Sequence, residues 1–171
     1  MARTKSDIAN SAIRIFLQRV GVFYDEKRGF EKFVPTKKQK EWLLKTFNNE
    51  CCYCGAAINE KDLSQDHLVP MNKASLGLHA WGNVVPCCQK CNNQKQQTAW
   101  LDFLKTKAAG NDLPKRQKRI SDFVKEMNYQ PNLHLDVPAG NLYQDVGEVA
   151  MTLIGLRIKQ AEEEISKILG E

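Results

Sequence analysis

The chain has 171 residues and a formal net charge of +5, with 42% hydrophobic and 26% charged residues, values that argue against a largely disordered chain. Its longest nearly apolar run, residues 149–156, is far shorter than the ~20 residues of a membrane-spanning helix, and residues 1–7 lack the apolar core of a secretory signal. We therefore expect a cytoplasmic protein with no membrane partner. In that compartment its six cysteines would be metal ligands or free thiols rather than disulfides.

Positive charge is concentrated in the first 50 residues, which hold 11 Lys and Arg against 6 Asp and Glu. A second basic run covers residues 115–119, whereas residues 142–171 carry a net charge of −3. Basic runs beside a compact site fit a polyanionic partner, and a solvated helix face is the alternative. The candidate contacts in these runs are Lys37, Lys38, Arg116 and Arg119.

Helical patterns dominate the region before the cysteines, residues 1–50. Apolar residues at helical spacing predict a first helix from about Ile8 to Val20 that ends at Gly21, followed by irregular residues 22–35. Thr36 is placed to cap a second helix. The first part of the chain is therefore predicted to be a basic helical region.

Helical patterns return after the cysteine-rich segment, residues 51–100, and continue through residues 101–171. Helix is predicted over residues 98–108 and after Pro114, and a connector over residues 129–141 leads to a long final helix, residues 143–169. The chain thus divides into three predicted parts, with the cysteine-rich segment in the centre.

The final helix carries an apolar seam in which the steps alternate between three and four residues. The seam consists of Met151, Ile154, Ile158, Ala161, Ile165 and Ile168. Such a seam either packs on the chain's own core or pairs with a second copy to form a homodimer. It is shorter than the three to four heptads that argue for a coiled coil, and both alternatives stay open.

The cysteines form two tight groups, each with a C-x-x-C pair. Two residues between thiolates let both sulfurs bind one metal ion from a single turn, and two such turns complete a tetrahedral zinc site. Gly55 supplies backbone freedom after the first pair. The pattern predicts a structural Zn²⁺ held by Cys51, Cys54, Cys88 and Cys91, with Cys52 and Cys87 as spare thiols. A redox dithiol would explain only one of the two pairs.

The segment between the cysteine groups is predicted as strand, loop, strand and helix. Residues 63–70 form the first strand, residues 83–86 the second, and the helix begins at Cys91. Asp66, His67 and Asn92 are candidates for one shared site. Because adjacent strand residues point to opposite faces, Asp66 and His67 share a site only if the strand end is bent or bulged.

These residues resemble the HNH family of nucleases, which have the ββα-metal fold. The resemblance rests on Cys51-x-Tyr-Cys54-Gly55, Asp66-His67-x-Val-Pro70 and Asn83-Val-Val-Pro86-x-Cys88-x-x-Cys91-Asn92-x-x-Lys95. It implies an α+β, mostly α-helical fold, in which helical segments flank a central zinc-stapled ββα-metal motif. The flanks match no family that we can name.

The resemblance implies a role for each matching residue. His67 would be the general base, Asp66 a ligand of the catalytic divalent metal, and Asn83 the residue that holds the loop and helps orient the base. Asn92 stands where many members have His, which suggests an oxygen ligand and therefore Mg²⁺ or Mn²⁺. Asn93 is a weaker candidate for the same position.

Three further residues of this segment are candidates for the site. Lys95, in the first helical turn, is expected to contact phosphate, and Lys90 is a further candidate DNA contact. His79 would either assist the site or be a surface residue of the loop.

The implied function is hydrolysis of phosphodiester bonds in DNA by a metal-dependent endonuclease of a restriction-like or mobile-element type, and the expected substrate is double-stranded DNA. The expected products carry 5′-phosphate and 3′-hydroxyl ends. Two other classes are a non-catalytic zinc-stapled nucleic-acid-binding module and a subunit of a larger DNA-targeting assembly. The joint presence of Asp66, His67 and Asn92 favours the nuclease, because a binding module does not require them.

Overall fold

The computed structural model describes residues 5–72, 74–130 and 142–169. These residues form α1 (Lys5–Lys27), α2 (Lys37–Thr46), β1 (Leu63–His67), β2 (Val84–Cys88), α3 (Gln89–Lys95), α4 (Trp100–Lys107), α5 (Asp112–Glu126) and α6 (Leu142–Leu169). The expected fold class, mostly helical α+β with a central ββα unit, is confirmed. The division into three parts stays a prediction, and residues 131–141 of the predicted connector lie outside the described residues.

The ββα unit consists of an antiparallel hairpin followed directly by α3. Leu63 lies opposite Cys88 and His67 lies opposite Val84. β1 ends at His67, earlier than predicted, because the backbone N–H groups of the next two residues donate hydrogen bonds to Asn83. The N–H of Leu68 donates to the Asn83 carbonyl (2.8 Å) and the N–H of Val69 to the Asn83 side chain (2.8 Å).

The main hydrophobic core surrounds this unit and joins it to α2, α4 and α5. Its fully buried members include Leu43, Phe47, Tyr53, Leu104 and Ile120. Thr36 caps α2 as predicted, since its hydroxyl accepts the N–H of Gln39 (3.3 Å). α5 begins at Asp112, before Pro114, a position that the first turn of a helix tolerates.

α1 continues to Lys27, so its predicted end at Gly21 is wrong. A Cβ atom at position 21 would overlap the backbone carbonyl of His79, and the glycine therefore lets α1 lie directly against the loop between β1 and β2. Ile13 and Leu17 of α1 pack in a second buried cluster that includes loop residues Met71, Leu76 and Leu78. The long first helix is thus docked onto the central unit.

The C-terminal end of α1 is tied to the same loop by a buried carboxylate. Asp25 is fully buried, pairs with Arg28 (2.6 Å) and accepts the backbone N–H groups of Phe33 (3.1 Å) and Trp81 (3.2 Å). Arg28 in turn donates to the carbonyls of Trp81 (3.1 Å) and Met127. These polar contacts fix the position of α1 relative to the strand that follows the loop.

α6 packs on α1 through its N-terminal turns and then loses contact with the core. Gly147 is buried close to Ala9 and Ile13, whereas a Cβ at Gly155 would have no neighbour within 4 Å. Several large apolar side chains after Gly147 are exposed: Val149, Leu153, Ile154, Leu156, Ile158 and Ile165. Beyond the half-buried Met151, the described part of the seam therefore does not pack on the chain's own core. None of the described helices combines the length and apolar character needed to cross a membrane.

Candidate active site

Four cysteines from two turns converge on one point. The Sγ atoms of Cys51, Cys54, Cys88 and Cys91 all lie within 4.8 Å of one another. The N–H of Gly55 donates to the Cys51 carbonyl (2.9 Å) and closes the first turn. Four thiolates at this spacing suit a closed tetrahedral zinc site, which has no position for substrate.

The remaining two cysteines are buried outside this cluster. Burial raises the pKa of the Cys52 thiol well above its usual range, and it raises the pKa of Cys87 in the same direction. The Cys87 thiol points to the Ser64 carbonyl (3.6 Å). Both therefore behave as protonated core residues rather than as metal ligands.

A cavity of about 670 Å³ opens at the end of β1. Asp66, His67 and Asn92 all line it, so the structure brings the three candidate residues together. The ladder of β1 runs residue for residue through His67, and the bulge that we expected is not needed for both neighbours to reach the cavity. The other lining residues are Arg14, Gln65, Pro70, Met71, Asn72, Gln96 and Gln97.

Asp66 is held by two buried donors. Its Oδ2 atom accepts a hydrogen bond from the Tyr53 hydroxyl (2.6 Å) and lies 3.1 Å from the Lys95 ammonium. Burial raises the pKa of Tyr53 well above its usual value, so the hydroxyl keeps the proton that it donates. Burial also raises the pKa of Asp66, and this effect outweighs the opposing effects of Lys95 and Tyr53.

Lys95 lies behind the site and not on its surface. Its side chain is fully buried, and its ammonium also donates to the His67 carbonyl (2.8 Å). The predicted contact between Lys95 and a DNA phosphate is therefore wrong for this structure. The cation instead compensates the charge of Asp66 and connects α3 to the end of β1.

His67 lies next to a second histidine. Its Nε2 atom is 2.9 Å from Nδ1 of His79, a hydrogen-bond distance that fixes the orientation of the ring. Burial, together with the nearby positive charges of His79, Arg14 and Lys95, lowers the pKa of His67 to about 3. The imidazole is therefore neutral at pH 7, with one ring nitrogen unprotonated.

Asn83 joins the two ends of the loop between the strands. It is fully buried, and its Nδ2 atom donates to the carbonyls of Val69 (3.1 Å) and Leu78 (2.7 Å), while its Oδ1 accepts the N–H of Val69 (2.8 Å). The side chain thus holds the backbone that leads from His67 to His79. Its part in orienting the base stays a prediction.

Asn92 and Asn93 differ in where their side chains lie. Asn92 lines the cavity, and its Nδ2 donates to the Ser64 hydroxyl (2.6 Å), which leaves its carbonyl oxygen for a cation. Asn93 is exposed, and its Oδ1 accepts a hydrogen bond from Gln89 (2.6 Å). The geometry favours Asn92 as the candidate ligand.

The predicted basic contacts lie away from the cavity. Arg119 donates to Glu50 (3.1 Å) and to the Phe47 carbonyl (3.3 Å). Arg116 packs over Gly55 in the first cysteine turn, 3.9 Å from Asp112. Both arginines are thus engaged within the protein. The candidates that remain exposed are Lys37, Lys38 and Lys90.

Three residues of the site had weak or no signals in the sequence. Tyr53 belongs to the first cysteine motif, but nothing in that motif predicts its hydrogen bond to Asp66. His79 was open to two interpretations, and the structure places it against His67. Arg14 lies some 50 residues upstream on α1, and only the packing of that helix brings it to the cavity.

Residues 51–107 match a family model described as HNH endonuclease. Over 55 residues the chain is 33% identical to the Septu protein PtuB of Bacillus thuringiensis. This stretch covers 31% of the chain and 21% of the relative, so the chain spans about a fifth of the length of the curated relative that it matches.

Proposed function

Because residues 51–107 match a family model described as HNH endonuclease, we propose that this chain is a metal-dependent DNA endonuclease. The observation that carries the proposal is that Asp66, His67 and Asn92 line one cavity. A module that only binds nucleic acid would need the cysteine cluster but not these three residues around a shared space. The cellular role that we propose is restriction-like cleavage or the processing of a mobile element.

His67 is the general base in this proposal. Its neutral imidazole takes a proton from a water molecule, whose oxygen attacks phosphorus while the bond from phosphorus to the 3′-oxygen breaks. The phosphate stays on the 5′-oxygen of one product, and the departing 3′-oxygen takes a proton from solvent water to form the 3′-hydroxyl of the other. The hydrogen bond to His79 keeps the ring of His67 in place as the proton transfers.

Asp66 and Asn92 would hold the catalytic cation, because a carboxylate and an amide oxygen are ligands that suit Mg²⁺ or Mn²⁺. When bound, such an ion would supply positive charge that stabilises the negative charge developing on the phosphate. Tyr53 and Lys95 hold the carboxylate of Asp66 from the interior, so that the ligand is oriented before a cation arrives. A second ion, Zn²⁺, is proposed for the four-cysteine cluster, where it would be structural.

We also propose that the exposed seam of α6 pairs with a second copy. A homodimer would present two cavities, as cleavage of both strands of a duplex requires. A partner that belongs to a larger DNA-targeting assembly is the alternative occupant of the same seam.

The test of the nuclease proposal is cleavage of supercoiled and linear DNA with Mg²⁺ or Mn²⁺, by the full chain and by the His67→Ala variant. We expect the wild-type chain to cut and the variant to lose about 10²–10⁴-fold in rate, as expected for removal of a general base. The variant must keep the zinc content and circular dichroism of the wild type. Equal cleavage by both proteins would exclude His67 as the base, and absence of cleavage by the wild type would favour the binding module.

A further inference from the structure

The wall of the cavity is completed by a residue from outside the family segment. Arg14 belongs to α1, which ends well before residue 51, yet its side chain lines the same cavity as Asp66, His67 and Asn92. The positive charge of Arg14 is felt at His67, where it contributes to the lowered pKa of the imidazole. The helix that precedes the family segment therefore contributes directly to the site.

The position of Arg14 is fixed by the way in which α1 is docked. Its neighbours Ile13 and Leu17 are buried at 3% and 0% exposure against the loop that joins β1 to β2. Gly21 lies two helical turns after Arg14 on the same side of α1, and it touches the backbone of His79. Because the helix is anchored on both sides of it, Arg14 stands at the rim of the cavity on a rigid element.

The charges around the cavity leave Arg14 available for an anion. The carboxylate of Asp66 is paired with buried Lys95, and the salt bridges found among the described residues do not include Arg14. Among the described lining residues, Arg14 is the one that carries a permanent positive charge and is exposed. Its guanidinium can donate two parallel hydrogen bonds to the oxygens of one phosphate.

We propose that Arg14 is a catalytic residue that binds a non-bridging oxygen of the phosphate being cleaved. This inference rests on the proposed nuclease function and extends it, since it assigns a substrate contact to the helical flank. Negative charge grows on that oxygen as water attacks phosphorus, so the guanidinium stabilises the transition state more than the bound substrate. Arg14 neither gains nor loses a proton during the step.

The kinetic test compares Arg14→Gln with Arg19→Gln, which removes the same charge from an exposed position of α1 that does not line the cavity. At saturating DNA, we expect Arg14→Gln to lower the single-turnover rate by roughly 100-fold, while Arg14→Lys restores part of it. Arg19→Gln should stay within about threefold of the wild type. Equal rates for the two glutamine variants would overturn the proposal.

A binding test is independent of cleavage. Thymidine 3′,5′-bisphosphate is titrated into the wild-type chain and both variants, and the dissociation constant is measured by calorimetry. Arg14→Gln should raise this constant about tenfold and Arg19→Gln should leave it unchanged. Equal constants for the two variants would overturn the Arg14 contact. If the wild-type chain cuts no DNA while Arg14→Gln still weakens binding, the nuclease proposal fails and the phosphate contact stands.

Discussion

Two donors from different elements meet at a single carboxylate oxygen. Tyr53 comes from the first cysteine turn and Lys95 from α3, and both contact Oδ2 of Asp66. All three side chains are buried, so the two hydrogen bonds form at low local dielectric constant and are strengthened by it. The orientation of Asp66 therefore depends on residues that never touch the cavity.

The Tyr53→Phe variant tests this arrangement. The phenyl ring keeps the edge contact with Phe103, while loss of the hydroxyl removes a hydrogen bond to a charged group. We expect the free energy of unfolding to fall by about 1.5–3 kcal/mol and Mn²⁺ binding, measured by electron paramagnetic resonance, to weaken roughly fivefold.

The matched control is Tyr24→Phe, which removes a hydroxyl that bonds to the backbone of Gln130 instead. It should lower stability without changing Mn²⁺ affinity. If both variants bind Mn²⁺ equally well, Tyr53 has only a structural role.

Sequence patterns predict the candidate catalytic residues more readily than the residues that support them. Asp66, His67 and Asn92 stand in a motif with fixed spacing, so they could be named without coordinates. Lys95 stands in the same motif, but its burial could not be predicted because spacing along α3 does not say which face meets Asp66. Arg14 belongs to no motif, and only tertiary packing brings it to the cavity.

At the scale of elements, the cysteine turns connect parts of the chain that have few other contacts. Cys88 precedes the first turn of α3 and ends β2, and Cys91 lies within that helix. The N–H of Cys52 donates to the Pro86 carbonyl (3.0 Å), which joins the first turn to β2. A zinc ion at this junction would hold both turns, and with them Tyr53.

The Cys88→Ser variant should therefore lose the zinc ion and the folded centre together, because the free energy of metal binding contributes to folding in sites of this kind. Metal content by elemental analysis and circular dichroism provide the two readouts. The control is Cys87→Ser, a buried thiol outside the cluster, which should retain one zinc ion per chain. A folded Cys88→Ser protein without metal would contradict the structural role.

Elements with regular apolar spacing or a recognisable cap were predictable, as Thr36 and α2 show. The end of α1 was not, because glycine breaks helices by local propensity, whereas Gly21 is retained here for close packing against His79. Local sequence preferences favour a helix end at Gly21, whereas α1 continues past it because Gly21 packs against the distant loop.

At the scale of the whole molecule, α6 extends past the part of the fold that could cover it. Leu153, Leu156 and Ile158 are each more than half exposed. An apolar surface of this kind on an exposed helix is typical of an interface. The exposed apolar side chains of α6 beyond Met151 therefore lead us to expect self-association of the chain.

Removal of residues 151–171 should convert a dimer into a monomer, measured by sedimentation velocity over a series of protein concentrations. Ile158→Glu in the full chain should have the same effect, because it places a charge in the seam, whereas Gln160→Glu should not. The truncated chain keeps Gly147 and its contact with α1, so its fold should persist. A full chain that sediments as a monomer at every concentration would contradict pairing of two copies.

The docking of α1 also determines which part of this chain could be transferred into a fusion protein. The segment that family comparison delimits begins at residue 51, yet the loop between its strands rests on Ile13, Leu17 and Gly21, and the backbone of that loop is bound by Asp25. A fusion that starts at Cys51 would lack the apolar residues of α1 that cover this loop. It would also lack the buried Asp25 carboxylate that accepts a backbone N–H of the loop. A fusion that carries the proposed nuclease site should therefore start upstream of Ile13, with the fusion partner joined ahead of α1.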